Sequence, residues 1–463
     1  MQWQECNSLW DATRAAGALS ERFLCGGARA VNLAELDRKT SLGGKAGALR
    51  GRSVLIRTRD LLASALAMIE LDGMVRRMVL CPPDLNTEGL RYVAAAVETD
   101  AIVGDGTISE DLSGLGTFVR CGTELEPCAG KREERLASEW VLLTSGTTGT
   151  PKIVVHTLQT LGMAVDSNIA LEGRRPVWST FFDIRRYGGL CVFLRALMGG
   201  DSMVLSSVVE PAASFLERAG ACGVTHMSGT PSHWRRTFMS PTARRISPSY
   251  LRMSGEIADQ AILDRLRDFY QAKVDHAFAS TEAGVGFVVN DGRAGFPAAW
   301  AGTRQGETDI KVEDGVLRLR SRRNALRYIG YESHVLGPDG YVDTGDLVEL
   351  RGDRYYYLGR QDGTINVGGS KIHPEEVEAV LQMHPKVRMA LARARKNSIT
   401  GGLVSAEVVL DKDPGSSQER VKLQDELLHF CAERLSRYQV PAAIRIVPEL
   451  PLATSGKIVR RGE

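Results

Sequence analysis

A chain of 463 residues, 43% hydrophobic and 25% charged, can bury more than one core and has the composition of a soluble enzyme. Its net charge of +2 gives no global reason to bind nucleic acid or an anionic membrane surface, and no apolar run approaches the roughly 18 residues that span a bilayer. The eight cysteines are scattered, without a Cys-x-x-Cys pair, and Met1 to Glu5 lead into no apolar segment; this argues against a zinc site, a disulfide scaffold and an export signal, and for a reducing, cytoplasmic setting.

Residues 1–140 alternate short apolar runs with helical stretches. Ser53 to Arg57 reads as a strand, and Asp60 to Met68 as a helix capped by Thr58 or Asp60. Met78 to Cys81 is a second strand, stopped by Pro82-Pro83; Leu90 to Val97 is a second helix and Ala101 to Val103 a third strand. The alternation predicts a parallel sheet with helices on its faces. Cys121 to Arg135 is charged and contains Gly and Pro, and reads as a surface linker.

Val141-Leu142-Leu143 reads as the end of a buried strand that runs into Thr144-Ser145-Gly146-Thr147-Thr148-Gly149-Thr150-Pro151-Lys152. The glycines let backbone N–H groups approach an anion closely, the hydroxyls add donors and Lys152 adds positive charge. The run is built to hold a polyphosphate, and a flexible polar turn is the plainer alternative. It is not the common nucleotide loop, which needs Gly-Lys followed by Ser or Thr. Lys152 follows proline and precedes Ile153, and the other Gly-Lys, Gly456-Lys457, precedes Ile458.

Thr157 to Leu171 carries a helical pattern. Trp178 to Gly189 then places Phe182, Asp183, Arg185 and Arg186 beside a strongly apolar run. Three readings of Asp183 stay open: it binds a substrate ammonium, it pairs with Arg185 or Arg186, or the arginines face a pocket and bind a second carboxylate. Ser202 to Leu205 is a strand, Pro211 to Gly220 a helix, and Val224 to Pro231 a strand and turn holding Gly229. His226 and His233 read as packing or hydrogen-bonding residues, since no nucleophile pattern accompanies them. Leu251 to Glu256 is a strand entering a glycine turn, with Ser254 and Gly255. Ala277 to Glu282 ends in Thr281-Glu282. Ile310 to Arg320 reads as a hairpin turning at Asp314-Gly315. Tyr341 to Leu347 contains Asp346, and Tyr355 to Gly363 contains Arg360 and Asp362. Gly368-Gly369 follows. A helix starts at His373-Pro374-Glu375-Glu376 with Val377, Val380 and Leu381 inward. Ser416 and Glu419 form a capping box for the last long helix, whose stripe is Leu427, Leu428, Cys431 and Leu435.

In this order, from Thr144 to Lys457, the runs resemble the adenylate-forming superfamily: acyl-CoA synthetases, the adenylation domains of nonribosomal peptide synthetases, and luciferases. The match from Thr144 to Lys152 to that family's phosphate loop is complete. The resemblance implies an α/β fold. Residues 1–361 would form a large domain of parallel sheets flanked by helices plus a β-rich subdomain, binding ATP and acid. Residues 362–463 would form a small, mobile α+β domain. The resemblance also implies roles. Thr144, Ser145, Gly146, Thr147, Thr148, Gly149 and Lys152 would hold phosphates. Ser254, Gly255 and Glu256 would lie on the adenine side. Thr281 would bind the α-phosphate and Glu282 Mg²⁺. Asp346 would take the ribose diol and Arg360 the ribose or phosphate. Phe182, Asp183, Arg185, Arg186 and Gly229 would line the acid pocket. Asp362 would be the hinge, Gly368 and Gly369 the thiol tunnel, and Lys457 the catalytic lysine. The chain departs from the pattern at Ser254 and Ala279, where glycine is usual, at Gly363, which replaces an aspartate, and in its shortened N-terminal part. Phe182-Asp183 resembles the pair in amino-acid-activating domains rather than the aromatic–histidine of many acyl-CoA synthetases.

The implied reaction joins a small carboxylic acid to AMP, releases pyrophosphate, and passes the acyl group to the thiol of coenzyme A or of phosphopantetheine on a carrier protein. No carrier serine motif occurs in the chain, so a carrier would be a separate protein. An amino-acid-adenylating enzyme, and a non-catalytic nucleotide-binding protein that kept the fold, are the competing expectations.

Overall fold

The computed structural model describes residues 6–27, 29–106, 114–128, 136–144, 151–162, 174–207, 210–367, 370–397, 401–412 and 414–451. The short apolar runs Ser53–Ile56, Arg77–Leu80 and Ala101–Gly104 are buried along their whole length, as strands covered on both faces are. They pair in parallel. Their seven-stranded sheet runs Arg327–Ile329, Lys152–Thr157, Glu139–Thr144, Arg77–Leu80, Ser53–Ile56, Ala101–Gly104, Thr117–Arg120. An eight-stranded sheet runs Gly284–Val289, Lys273–Ser280, Tyr250–Ser254, His226–Gly229, Val177–Thr180, Ser202–Val204, Phe23–Cys25, Ala30–Asn32. Its inner pairs are parallel and its two edge pairs antiparallel.

The helix Leu61–Leu71 begins where Asp60 Oδ1 accepts from the N–H groups of Leu62 (2.6 Å) and Ala63 (3.1 Å). All 11 of its residues are buried. The reason is its position: with the helix Tyr187–Gly199 it shares one core that takes in Ile56 and Met78 from one sheet and Trp178 and Met203 from the other. A helix apolar on nearly every side suits that sandwiched place, and its buried Glu70 accepts from Thr40 Oγ1 (2.5 Å) and Ser41 N–H (2.6 Å). The helix Thr87–Ala96 covers the far face of the seven-stranded sheet, and Ala212–Ala221 and Gln260–Tyr270 cover that of the eight-stranded one.

A six-stranded antiparallel sheet forms the β-rich part. Its hairpin Thr308–Glu313 to Val316–Ser321 turns through Asp314 and Gly315, at φ 50° and 75°. Two left-handed residues match the twist of the flanking strands. Further on, Ile365, Val377, Leu381, Val404, Leu427 and Cys431 belong to a core of their own, under a three-stranded sheet and the helices Pro374–Gln382 and Ser417–Ala432. The capping box is present: Ser416 Oγ accepts from Glu419 N–H (3.2 Å) and Glu419 Oε2 from Ser416 N–H (3.3 Å).

The expected architecture of helix-flanked parallel sheets, β-rich part and small α+β part is the one observed. Two details differ. Cys121 is buried, and Glu126–Pro127 pairs with Lys39–Thr40, so the stretch from Cys121 is not simply a surface linker. The helix after Thr157 is seen as Leu158–Gly162; residues 163–171 of that expectation lie outside the described residues. Among the described residues no helix is long and apolar enough to cross a membrane.

Candidate active site

The inner strands of the eight-stranded sheet run the same way, so their C-terminal ends bring Thr180, Gly229, Ser254 and Ser280 into one row. Thr281 and Glu282 follow Ser280 directly. Ligands of open α/β sheets bind at such ends. From the other sheet, Thr144 faces Lys152 in antiparallel register, which closes the two ends of the phosphate-loop sequence on each other. Ser145, Gly146, Thr147, Thr148 and Gly149 lie outside the described residues, as do Gly368, Gly369 and Lys457.

Thr281 and Glu282 are pinned from two sides. His156 Nε2 donates to the Thr281 carbonyl oxygen (2.7 Å), and Ala325 N–H donates to that of Glu282 (2.8 Å). His156 is fully buried, and burial pushes its pKa down to about 4, so the ring is neutral. With its proton on Nε2, Nδ1 sits 3.0 Å from Thr160 Oγ1. The Glu282 carboxylate is half-buried. Tyr328 Oη donates to its Oε1 at a long 3.5 Å, and it makes no ion pair among the described residues. Lys152 Nζ lies 5.6 Å from the centre of the Tyr328 ring. A single hard carboxylate without a cation suits Mg²⁺, which takes one or two carboxylates together with phosphate oxygens; the residues present fit that ion.

Ser254 is half-buried and Gly255 exposed at φ 81°. Glu256 Oε2 accepts from Ser232 N–H (2.9 Å) in the first turn of the helix Pro231–Thr237. A Cβ at Gly229 would lie 2.8 Å from Phe181 Cδ2, so only glycine admits that ring. The His233 ring stacks on Phe181 (5.1 Å) and meets Phe182 edge-on (5.7 Å). His226 packs between Trp178 (4.7 Å) and Tyr250 (5.3 Å), a packing role as read from sequence.

Asp183 and Arg185 are committed to each other. Arg185 Nε donates to Asp183 Oδ1 (2.9 Å) and Nη2 to Oδ2 (2.7 Å), and the Arg185 N–H also donates to Oδ1 (2.8 Å). Arg185 Nη1 donates to the Thr58 carbonyl. The two side chains are 3% and 0% exposed, which leaves no room for a substrate on either. Arg186 pairs with Asp84 (2.5 Å). The ammonium reading of Asp183 and the second-carboxylate reading of Arg185 and Arg186 therefore find their groups already partnered. The close approach is built in: a Cβ at Gly189 would fall 2.2 Å from the Asp183 carbonyl oxygen.

Asp346 and Arg360 face each other in register, with Nη1 and Oδ2 3.7 Å apart. Arg360 Nη1 donates to the Thr344 carbonyl (2.8 Å), and its Nε is 3.4 Å from Asp362 Oδ1. Gln361, Asp362 and Gly363 form one exposed 3₁₀ turn.

Sequence reasoning missed His156 and Tyr328. Each acts on a residue far away in the chain, so no local pattern marks it. The one signal was a histidine at the end of the wholly apolar run Ile153–Val155.

The "AMP-binding enzyme" family model matches residues 54–320, and the "AMP-binding enzyme C-terminal domain" model matches residues 376–457. The chain is 28% identical over 346 residues to a 2-succinylbenzoate–CoA ligase of Geobacillus kaustophilus, covering 69% of this chain and 68% of that one. It is 29% identical over 349 residues to a feruloyl-CoA synthase of Amycolatopsis, with the same coverage of 69% and 68%. The fold is similar to an o-succinylbenzoate coenzyme A synthetase from Bacillus subtilis in complex with ATP and magnesium ion, at TM-score 0.76 and 20% identity over 98% of both chains. It is similar also to an anthranilate CoA ligase in complex with anthranoyl-AMP, at TM-score 0.78, 18% identity and coverage of 97% and 95%. The chain belongs to the AMP-binding enzyme family.

Proposed function

We propose that the protein is an AMP-forming acid–thiol ligase: it activates a small carboxylic acid with ATP as the acyl-adenylate, releases pyrophosphate, and transfers the acyl group to the thiol of coenzyme A. The observation that carries this is the Thr281–Glu282 corner. It sits at the C-terminal sheet edge, pinned by His156 and Ala325, with a half-buried carboxylate and Lys152 close by. The relatives named above are CoA ligases, which supports coenzyme A as the thiol. A separate carrier protein bearing the same phosphopantetheine thiol is the alternative acceptor. The closed Asp183–Arg185 pair favours a simple acid over an amino acid. A cytoplasmic setting belongs to the same proposal, supported by eight cysteines that all stand as free thiols.

The chemistry has one electrostatic problem. Carboxylate and triphosphate are both anionic, and like unit charges at about 4 Å cost roughly 4 kcal/mol at an effective dielectric of 20. Fixed positive charge and aimed donors offset that in the transition state. Lys152 and the hydroxyl and N–H groups of residues 144–152 would hold the phosphates, and the Thr281 hydroxyl the α-phosphate. Asp346 would accept from the ribose hydroxyls, steadied by Arg360. Glu282 would hold Mg²⁺, which supplies positive charge to the phosphates when bound. Lys457 would bridge the attacking carboxylate and the α-phosphate. No general base is required, since a carboxylic acid is already ionised at pH 7. For the second half-reaction the domain after residue 361 would turn about Asp362 and bring Gly368-Gly369 to the thiol. Three features support that hinge: the exposed turn Gln361–Gly363, the separate core that begins at Ile365, and the polar contact of Arg351 with Glu376 (3.4 Å) across it.

Incubation with ATP, Mg²⁺, coenzyme A and a panel of acids tests the proposal. AMP and pyrophosphate should form in equal amounts with an acyl thioester. Release of ADP and phosphate, or no nucleotide turnover with any acid, would overturn it.

A further inference from the structure

Two cysteines 197 positions apart in the chain meet near the edge of the eight-stranded sheet: Cys25 Sγ and Cys222 Sγ are 3.6 Å apart, in hydrogen-bonding contact. Cys25 is 8% exposed and ends the strand Phe23–Cys25, in register with Val204 of its parallel neighbour. Cys222 is half-buried and follows the last residue of the helix Ala212–Ala221. One sulfur belongs to the core and the other packs at its margin, within reach of solvent.

Neither backbone is loose. The Cys25 carbonyl accepts from Leu205 N–H (2.8 Å), and Gly26 N–H donates to the Arg29 carbonyl (2.7 Å). A Cβ at Gly26 would lie 2.9 Å from Leu62 Cβ, so the chain leaving Cys25 is pressed against the helix Leu61–Leu71. On the other side, Cys222 N–H donates to the Arg218 carbonyl (2.9 Å) and Val224 N–H to that of Ala219 (3.0 Å). Arg218 joins the two. Its Nη1 donates to the Gly26 carbonyl (3.0 Å) and lies 4.0 Å from Cys25 Sγ, its Nη2 donates to the Leu205 carbonyl (2.9 Å), and its Nε donates to Glu210 (2.9 Å). The fold itself sets the sulfurs together, with a fixed guanidinium beside the buried one.

A disulfide needs its sulfurs about 2.05 Å apart. The remaining gap of roughly 1.5 Å, shared between two side chains, is of the size that a turn of about 30° about each χ1 gives. The pair rests reduced: burial pushes the Cys222 thiol up to about 11, the Cys25 sulfur adds to that and Arg218 opposes it. Such a thiol is a slow nucleophile at neutral pH, so it reacts when oxidant is plentiful.

We propose that Cys25 and Cys222 form a reversible oxidation site: a low-molecular-weight disulfide, R–S–S–R, converts them to an internal disulfide that staples the sheet edge to the helix Ala212–Ala221. The Cys222 thiolate attacks one sulfur of R–S–S–R, giving Cys222–S–S–R and R–S⁻, which takes up the proton Cys222 gave. The Cys25 thiolate then attacks the Cys222 sulfur and expels the second R–S⁻, which takes the Cys25 proton. Two protein thiols lose two electrons, and one R–S–S–R becomes two R–SH. Excess thiol runs the exchange backwards. The bond closes a long loop and restricts mainly the unfolded chain, so the oxidised protein is the more stable form. The inference stands apart from the ligase reading, since neither sulfur belongs to the Thr281–Glu282 corner.

The test treats the full chain with oxidised glutathione, alkylates the remaining thiols and maps the peptides by mass. Wild type should yield a linked Cys25–Cys222 pair that dithiothreitol removes. Its melting temperature should rise by about 5 °C or more relative to Cys222→Ser treated alike. Cys25→Ser should stop at the glutathione adduct of Cys222. Cys222→Ser, at a half-buried position, keeps the comparison should Cys25→Ser fold poorly. A glutathione adduct that persists on Cys222 in wild type, a link from either sulfur to another cysteine, or no reaction at either overturns the inference. A Cys25–Cys222 link without a rise in melting temperature overturns the staple.

Discussion

His156 and Thr281 meet across 125 positions of sequence: the ring Nε2 of the fully buried His156 lies 2.7 Å from the carbonyl oxygen of the half-buried Thr281. The bond ties the seven-stranded sheet to the strand end of the eight-stranded one, where the α-phosphate is proposed to bind.

This tie makes stability depend on pH. The folded-state pKa of His156, about 4, lies below its ordinary 6.5. Between those values the unfolded chain binds the extra proton, so the contribution is whole above pH 6.5 and is lost as pH falls through 4. The shift corresponds to about 3 kcal/mol. Asp72 works in the opposite sense: burial pushes it up to about 7, so its contribution is present in acid and is lost as pH rises through 7. The raw pH curve therefore mixes both. The stability difference between wild type and His156→Asn should shrink by up to about 3 kcal/mol from pH 7 to pH 4 in denaturant titrations; a constant difference would contradict the assignment.

Asp183→Ala leaves Arg185 buried without its carboxylate. Breaking such a pair from one side costs about 3–5 kcal/mol. The melting temperature should drop, and every acid should be used less well by the same factor. The ratio of an amino acid to its deaminated analogue should stay unchanged; a selective loss of amino acids would restore the ammonium role.

Glu282→Gln replaces a carboxylate that has no ion pair among the described residues by a neutral amide, a poorer ligand for a hard cation. The Mg²⁺ concentration for half-maximal rate should rise. An unchanged dependence would remove Glu282 from the metal site.

Lys457→Ala and Asp362→Pro should split the two half-reactions. Losing one transition-state donor costs about 10²–10³ in rate, so Lys457→Ala should slow adenylate formation by that much while ATP still binds. Proline at position 362 fixes φ at the exposed turn. Adenylate formation should survive there, and thioester formation from added adenylate should fall sharply. Equal loss of both steps in Asp362→Pro would refute the hinge.

The sequence is most legible where chemistry is local. Strand, loop and lysine from Val141 to Lys152 are contiguous, and so are Thr281 and Glu282. The strands Ser53–Ile56 and Arg77–Leu80 show as apolar runs because both their faces are covered. Phe23–Cys25 and Ala30–Asn32 are three residues each, too short to carry a period, and the edge of the eight-stranded sheet they form could not be read. The partner of Asp183 was open because two arginines stood within reach; the fold gives Asp183 to Arg185 and sets Arg186 against Asp84, 102 positions away in the chain. His156 and Tyr328 matter through Thr281 and Glu282, far from them in the chain, and no spacing in the chain encodes those meetings.

The most direct measurement uses acid labelled with ¹⁸O in its carboxylate, with ATP, Mg²⁺ and coenzyme A, followed by mass analysis of the nucleotide. Attack of the carboxylate on the α-phosphate, then of the thiol on the acyl carbon, leaves one labelled oxygen on AMP. Label in AMP is the predicted result. Label in inorganic phosphate, or unlabelled AMP alongside thioester, would contradict an acyl-adenylate on the path.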